Sequence, residues 1–128
     1  KTPVGLFKLG NLYYRKDKTN KPNSKLKKIL IKRNMGWCND ITNKKNYNKL
    51  IKTNINIRHE KLFRKDYKYD LLIPIKYNYH KPIPGRGSCI FIHLTNNYKS
   101  TAGCIALKKK DFLIMLMLIN KKTKIKIS

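Results

Sequence analysis

Acidic residues are scarce in this sequence. Its 128 residues include six Asp and Glu against 31 Lys and Arg, which gives a formal net charge of +25 at pH 7. A field of that strength attracts nucleic acid, anionic lipid and acidic polymers alike. The positive charges are spread from Lys1 to Lys126, and Asn, Ile and Tyr are abundant as well. An AT-rich coding sequence, which raises Lys content without selection for a ligand, therefore explains the charge more simply than an anionic partner does.

Long apolar runs and paired cysteines are also missing. The longest apolar run, residues 112–119, is about half of what a helix needs to cross a bilayer. The three cysteines, Cys38, Cys89 and Cys104, form no CxxC pair and give no indication of a zinc site. Their odd number leaves at least one thiol unpaired within the chain. No signal peptide, internal repeat or domain boundary is visible, so we expect one domain over residues 1–128.

The distribution of apolar residues predicts a mainly β fold. A short helix is expected over residues 58–65, and a second helix over 109–120, where apolar positions surround the axis and indicate burial against a sheet. Loops are expected where Pro, Gly, Asn and Lys concentrate, at 17–28, 39–48, 80–87 and 95–102. The remaining apolar segments predict strands at 2–7, 26–33, 70–77, 88–94 and 124–127.

The strand expected over residues 88–94 carries a candidate catalytic histidine. Its alternation places Ile90 and Ile92 on one face, and Cys89, Phe91 and His93 on the other.

A candidate nucleophile follows that strand. Gly103 allows a tight turn before Cys104, and the backbone N–H groups of such a turn can stabilise an oxyanion. A thiol beside an imidazole in a positive field should have a lowered pKa, so Cys104 and His93 together suggest cysteine-based acyl transfer. The alternative is a buried cysteine and a hydrogen-bonded core histidine, which are common in proteins without any such activity.

Residues 82–107 resemble the active-site region of the L,D-transpeptidase catalytic domain, also called the YkuD-like family. The family pattern is a His on a strand, a loop, and then Ser/Thr-x-Gly-Cys, which corresponds here to His93, Thr101, Gly103 and Cys104. Further elements match in order along nearly the whole chain, and they point to the branch that contains Gly-Trp-Cys. These elements are residues 2–7, 35–40, 47–48, 59–63, 69–70, 77–78 and 84–88.

The resemblance implies a mixed β-sandwich or barrel-like fold and a mechanism through a thioester. Cys104 would be the nucleophile, and His93 would hold the thiolate as an ion pair and protonate the leaving amine. The carbonyl of Leu94 would orient His93. Gly103 and Thr101 would form the turn and oxyanion hole at Cys104. No metal or organic cofactor is implied.

The implied substrates are peptidoglycan stem peptides, cleaved between an L-centre and a D-amino acid. The resemblance also implies a periplasmic or cell-envelope location, and we expect a monomer. Substrate contacts are expected from Arg86, Ser88, Tyr77, Asn78 and Leu94.

The chain departs from the family in two places. Many members carry Arg two residues after the Cys, where this chain has Ala106, so Arg86 either replaces that Arg in binding the substrate carboxylate or caps its loop. The family's first strand, with a Gly/Lys-rich stretch, would precede residue 1.

Three other functions remain open from the sequence. Water in place of an amine would make the same site an L,D-peptidase. A basic module binding nucleic acid or an anionic polymer would need clustered Lys and stacking aromatics, whereas the eight Tyr are scattered. A family member that binds wall peptides without turnover would not need to keep both His93 and Cys104.

Overall fold

The structure is a computed structural model that describes residues 2–54, 56–96 and 105–128. Within these ranges it is mainly β, with several sheets and one helix. The elements are β1 (Gly5–Lys8), β2 (Leu12–Tyr14), β3 (Lys28–Leu30), β4 (Met35–Cys38), β5 (Leu50–Lys52), β6 (His59–Lys61), β7 (Leu71–Pro74), β8 (Phe91–Leu94), β9 (Ile105–Leu107), α1 (Lys109–Leu118) and β10 (Lys124–Ile127).

A five-stranded sheet with the order β3-β2-β7-β8-β9 carries the candidate site. Strands β2, β7 and β8 pair antiparallel, whereas β9 lies parallel to β8 and β3 parallel to β2. Because β8 and β9 run in the same direction, a connection must return from the end of one to the start of the other. There are also two smaller sheets, β5-β4-β6 and β1-β10.

Strand β8 separates two apolar cores. Ile90, Ile92 and Leu94 pack into a core that also contains Phe112 and Leu116 of α1. On the opposite face, Phe91 packs with residues that include Trp37, Leu62, Tyr69 and Leu72, and Cys89 lies against that cluster. The alternation predicted for this strand is therefore confirmed, and both faces of β8 are dry because a separate core covers each one.

Helix α1 is buried on one side only. Phe112 and Leu116 are buried, as is Ile119 just after the helix, whereas Met117 and Leu118 are 63% and 78% exposed. The predicted burial against the sheet is therefore confirmed for one side of the helix, while the other side is exposed. No helix in the described ranges has the length and hydropathy that a membrane crossing requires.

The helix expected over residues 58–65 is wrong, because this segment contains β6. There, Glu60 pairs with Trp37 and His59 pairs with Cys38 across an antiparallel ladder with β4. Pairing with a distant strand thus overrides a weak local preference for helix. The other expected strands are confirmed, with shorter bounds for β3, β7 and β8, shifted bounds for β1 and the same bounds for β10. Strands β2, β4, β5 and β9 are additional to those expected.

Candidate active site

His93 lies near the end of β8 and is 2% exposed. Its Nδ1 is 2.9 Å from the carbonyl oxygen of Leu94, the contact expected from the family resemblance. A carbonyl oxygen can only accept, so Nδ1 carries the hydrogen and donates it. In the neutral ring this arrangement leaves the lone pair on Nε2. The backbone of β8 thereby fixes both the tautomer and the direction of the ring.

The Nε2 atom of His93 is buried and has no hydrogen-bond partner within the described ranges. Burial lowers the pKa of His93 below its ordinary value, and the nearby positive charges of Lys68 and Arg64 lower it further. The bond to the Leu94 carbonyl and the charge of Glu60 act in the opposite direction. These surroundings favour a neutral imidazole at pH 7, with Nε2 able to accept a proton.

An aromatic series supports the imidazole ring from one side. The ring of Tyr69 meets His93 edge to face, with centroids 5.8 Å apart, and meets Phe91 at 5.6 Å. Phe91 in turn contacts the ring of Trp37 at 5.3 Å. The hydroxyl of Tyr69 donates a hydrogen bond of 3.1 Å to Glu60. Tyr69 therefore links His93 to a carboxylate on β6.

Two cations lie over the ring of Tyr69. The guanidinium carbon of Arg64 and the ammonium nitrogen of Lys68 are each 5.3 Å from the ring centroid. Arg64 is already paired with Glu60 and Asp66. The ammonium of Lys68, by contrast, forms no ion pair with any described residue. Lys68 is thus the cation near His93 whose charge is available to a ligand.

Asn48 holds together the segment that leads into β8. Its side-chain oxygen accepts hydrogen bonds from Trp37 Nε1 at 2.8 Å and from the backbone N–H of Cys89 at 3.3 Å. Its amide nitrogen donates to the carbonyls of Tyr77 and Asn78 at 3.2 and 2.6 Å. Asn48 is buried and has a φ of 55°, a conformation that Asn adopts more readily than most residues.

Ser88, Tyr77 and Asn78, which we expected to contact substrate, belong to this same supporting region. The hydroxyl of Ser88 donates to the Cys38 carbonyl at 2.6 Å. The side chain of Asn78 donates to the carbonyls of Ile83 and Gly87 and so closes the Pro- and Gly-rich loop. Tyr77 packs edge to face against Phe7 at 5.6 Å. The polar groups of Ser88 and Asn78 are therefore engaged in structural hydrogen bonds.

Arg86 is exposed in the same loop, and its backbone N–H donates to Ile83. Ala106 lies directly opposite His93 on β9. Thr101, Gly103 and Cys104 lie outside the described residues, and Cys104 immediately precedes Ile105, the first residue of β9.

Cys38 is completely buried and is not disulfide-bonded. It therefore packs in the interior, next to Trp37, and does not line an open cleft.

Several basic residues line a cavity of about 810 Å³ beside Phe63. Arg15 lies 3.5 Å above the Phe63 ring, donates twice to Asp17 at 2.8 Å, and donates to the Arg64 carbonyl at 2.7 Å. Its donors are thus occupied, and it fixes the cavity wall. Within the described ranges, no group of His, Cys, Asp and Glu is arranged to hold a metal ion.

The sequence alone indicates no role for Lys68, Glu60 or Asn48. The motif matches did include Tyr69, Glu60 and Asn48, but a match alone does not show which side chains meet. Lys68 had no signal at all among so many lysines.

Comparison with known proteins identifies the family. The profile of the YkuD family, the L,D-transpeptidase catalytic domain, matches residues 1–127. No curated protein and no solved structure matches the chain significantly. The matched family comprises transferases of the cell envelope that act on peptidoglycan. With a profile match along almost its entire length and a mainly β fold of the corresponding kind, the chain belongs to the L,D-transpeptidase catalytic domain family.

Proposed function

We propose that this protein is a cysteine acyltransferase that cross-links or remodels peptidoglycan through a thioester on Cys104. The observation that carries the proposal is the hydrogen bonding of the two ring nitrogens of His93. Its Nδ1 is held by the Leu94 carbonyl, and its buried Nε2 has no partner among the described residues. The neighbouring strand β9 begins one residue after Cys104 in the sequence.

In the first half of the reaction, the thiol of Cys104 attacks the carbonyl carbon of a bond between an L-centre and a D-amino acid. His93 Nε2 takes the thiol proton as the S–C bond forms. Backbone N–H groups at Gly103 and Cys104 stabilise the oxyanion, with Thr101 supporting the turn, and losing one such donor raises a barrier by about 3 kcal/mol. The C–N bond then breaks, and the proton on Nε2 passes to the leaving amine.

In the second half, an amine from another stem peptide attacks the thioester carbonyl and gives a proton to Nε2. The C–S bond breaks, and that proton returns to the sulfur. His93 thus acts first as base and then as acid in both halves. The neutral ring favoured by burial is the form that can take the thiol proton, whereas the resemblance implies a resting ion pair with the thiolate.

Lys68 is our choice for the residue that binds the substrate carboxylate. Ala106 offers no charge opposite His93, and Arg86 is exposed in a loop closed by Asn78. Lys68 lies against the same aromatic ring that contacts His93, and Arg64 is neutralised by carboxylates. Arg86 remains the second candidate, and we propose that residues 1–128 form a single catalytic domain.

Incubation with a peptidoglycan tetrapeptide stem, followed by peptide mapping in a mass spectrometer, tests the proposal. We expect an acyl adduct on Cys104 that has lost the terminal D-amino acid. His93→Ala should reduce its formation, whereas His80→Ala, which changes an exposed histidine in a loop, should not. An adduct on Cys38 or Cys89, or one formed equally well without His93, would contradict the assignment.

The released products separate the two enzymatic alternatives. A cross-linked dimer of stems indicates transpeptidation, whereas a free tripeptide alone indicates an L,D-peptidase. A basic binding module predicts instead that binding to an anionic polymer weakens steeply with salt and is unchanged by Cys104→Ala.

A further inference from the structure

Helix α1 is apolar on all sides, yet the protein covers only part of it. The seven residues from Phe112 to Leu118 are all apolar. A helix with this pattern is normally buried in a protein core or in lipid. Here the core takes up Phe112 and Leu116, together with Ile119 beyond the helix end. The opposite side is left without a partner in the described structure.

The uncovered residues form one continuous patch. Ile114, Met117 and Leu118 are 49%, 63% and 78% exposed. Residues three and four positions apart are neighbours on a helix surface, so these three side chains lie together. We call this patch the outer face of α1.

Positive charges surround the outer face. Lys110 lies one helical turn before Ile114, and Lys121 and Lys122 follow in the exposed turn after the helix. Met117 also borders a groove whose other wall is a basic loop. That loop contributes Lys16, Lys18 and Lys21. The cations therefore come from two separate segments and meet at the same apolar patch.

The charge decides between the possible occupants of this face. A second copy of the chain would bring another +25 charge to it, and the two copies would repel each other. Asp111, the acidic residue of α1, is exposed three positions before Ile114 and so borders the outer face, where it is outnumbered by the lysines. An anionic bilayer fits both the apolar patch and the lysines around it, since its acyl region accepts apolar side chains and its headgroups attract lysines.

We propose that the outer face of α1 docks the protein on the surface of an anionic lipid bilayer. The helix lies in the plane of the interface, with Met117 and Leu118 in the acyl boundary and the surrounding lysines at the headgroups. This function is separate from the chemistry at His93. It would hold the enzyme at the membrane surface.

Flotation with lipid vesicles tests the proposal. The protein should float with vesicles of mixed phosphatidylglycerol and phosphatidylcholine, and much less with phosphatidylcholine alone. The double variant Met117→Ser and Leu118→Ser should weaken binding to the anionic vesicles by roughly tenfold or more, since two apolar side chains lose their burial. The matched control is Ile41→Ser with Ile83→Ser, two exposed apolar residues in loops, and it should bind as the unchanged protein does.

Three results would overturn the proposal. Equal binding by the Met117 and Leu118 variant would show that the charge alone adsorbs the protein. Equal binding to neutral vesicles would remove the role of the lysines. A dimer in light scattering that the same variant dissociates would assign the face to a second copy. Turnover of a soluble stem peptide should be unchanged in the variant, so a failure here does not affect the proposed chemistry.

Discussion

Asn48 should contribute more to stability than any other residue of its turn. Its side chain makes four hydrogen bonds, two as acceptor and two as donor, in a position 4% exposed. At about 1 kcal/mol net per bond, Asn48→Ala should destabilise the fold by about 4 kcal/mol. The φ of 55° adds a further cost of about 1 kcal/mol for a residue with an ordinary side chain. The expected total of about 5 kcal/mol is a large fraction of typical domain stability.

Two further variants separate these contributions. Asn48→Gly removes the bonds but tolerates the positive φ, so it should recover about 1 kcal/mol relative to Ala. Asn48→Asp keeps the two acceptor bonds from Trp37 and Cys89, but it places a carboxylate oxygen against the carbonyls of Tyr77 and Asn78. It should therefore remain destabilised by about 2 kcal/mol or more, through two lost donor bonds and added repulsion.

Urea unfolding, followed by tryptophan fluorescence, measures these differences. Asn46→Ala is the matched control, because Asn46 lies in the same turn and its side chain bonds locally to Asn43. It should cost less than about 1 kcal/mol. If Asn48→Ala unfolds within 1 kcal/mol of the control, or if Asn48→Asp is as stable as the unchanged protein, the assigned bonds do not hold this region together.

The remaining predictions concern the site and a buried acid. Because burial lowers the pKa of His93, its imidazole should stay neutral below the ordinary pKa of about 6.5. The acid limb of the pH–rate profile for transpeptidation should therefore lie below that pH. A limb above it would refute the assignment of His93 as the base. Lys68→Ala should raise KM for a stem peptide with a free carboxylate by about tenfold without lowering kcat. Lys76→Ala, which removes a similar cation packed on Tyr79, should leave KM unchanged. Equal effects of the two substitutions would exclude Lys68 as the residue that binds the carboxylate. Burial raises the pKa of Asp70, so the folded state holds its proton more tightly, and stability is lost as pH rises through that raised value. Asp70→Asn should therefore raise the melting temperature at pH 7 and lose this advantage near pH 4, whereas an equal gain at both values would show that charge is not the cause.

The sequence could predict β8 because its pattern is local and strong. Ile90 and Ile92 alternate with Phe91 and His93, and such alternation specifies two faces whichever residues cover them. The position of the Leu94 carbonyl followed from the family resemblance. Composition alone does not predict the hydrogen bond from His93 to this carbonyl, because every residue type has a backbone carbonyl.

The contacts of Asn48 and Lys68 could not be predicted in the same way. Asn48 bonds to residues 11 to 41 positions away, and Lys68 is one of many lysines. The strand at Glu60 could not be predicted from the local sequence, because it depends on pairing with Trp37. The apolar pattern correctly predicted helix α1. It could not show how much of the helix surface packs against the rest of the protein.

The placement of β8 between two dry cores has a consequence for how this enzyme can change. Backbone amides at Ile92 and His93 should exchange with solvent only when the whole protein unfolds, because no local opening exposes them without breaking a core. His93, the proposed base, is therefore tied to the global stability of the fold. A substitution that alters either core will disturb the imidazole before it disturbs a surface loop. New substrate preferences are consequently easier to acquire at the exposed loop around Arg86 than on the strand that carries His93.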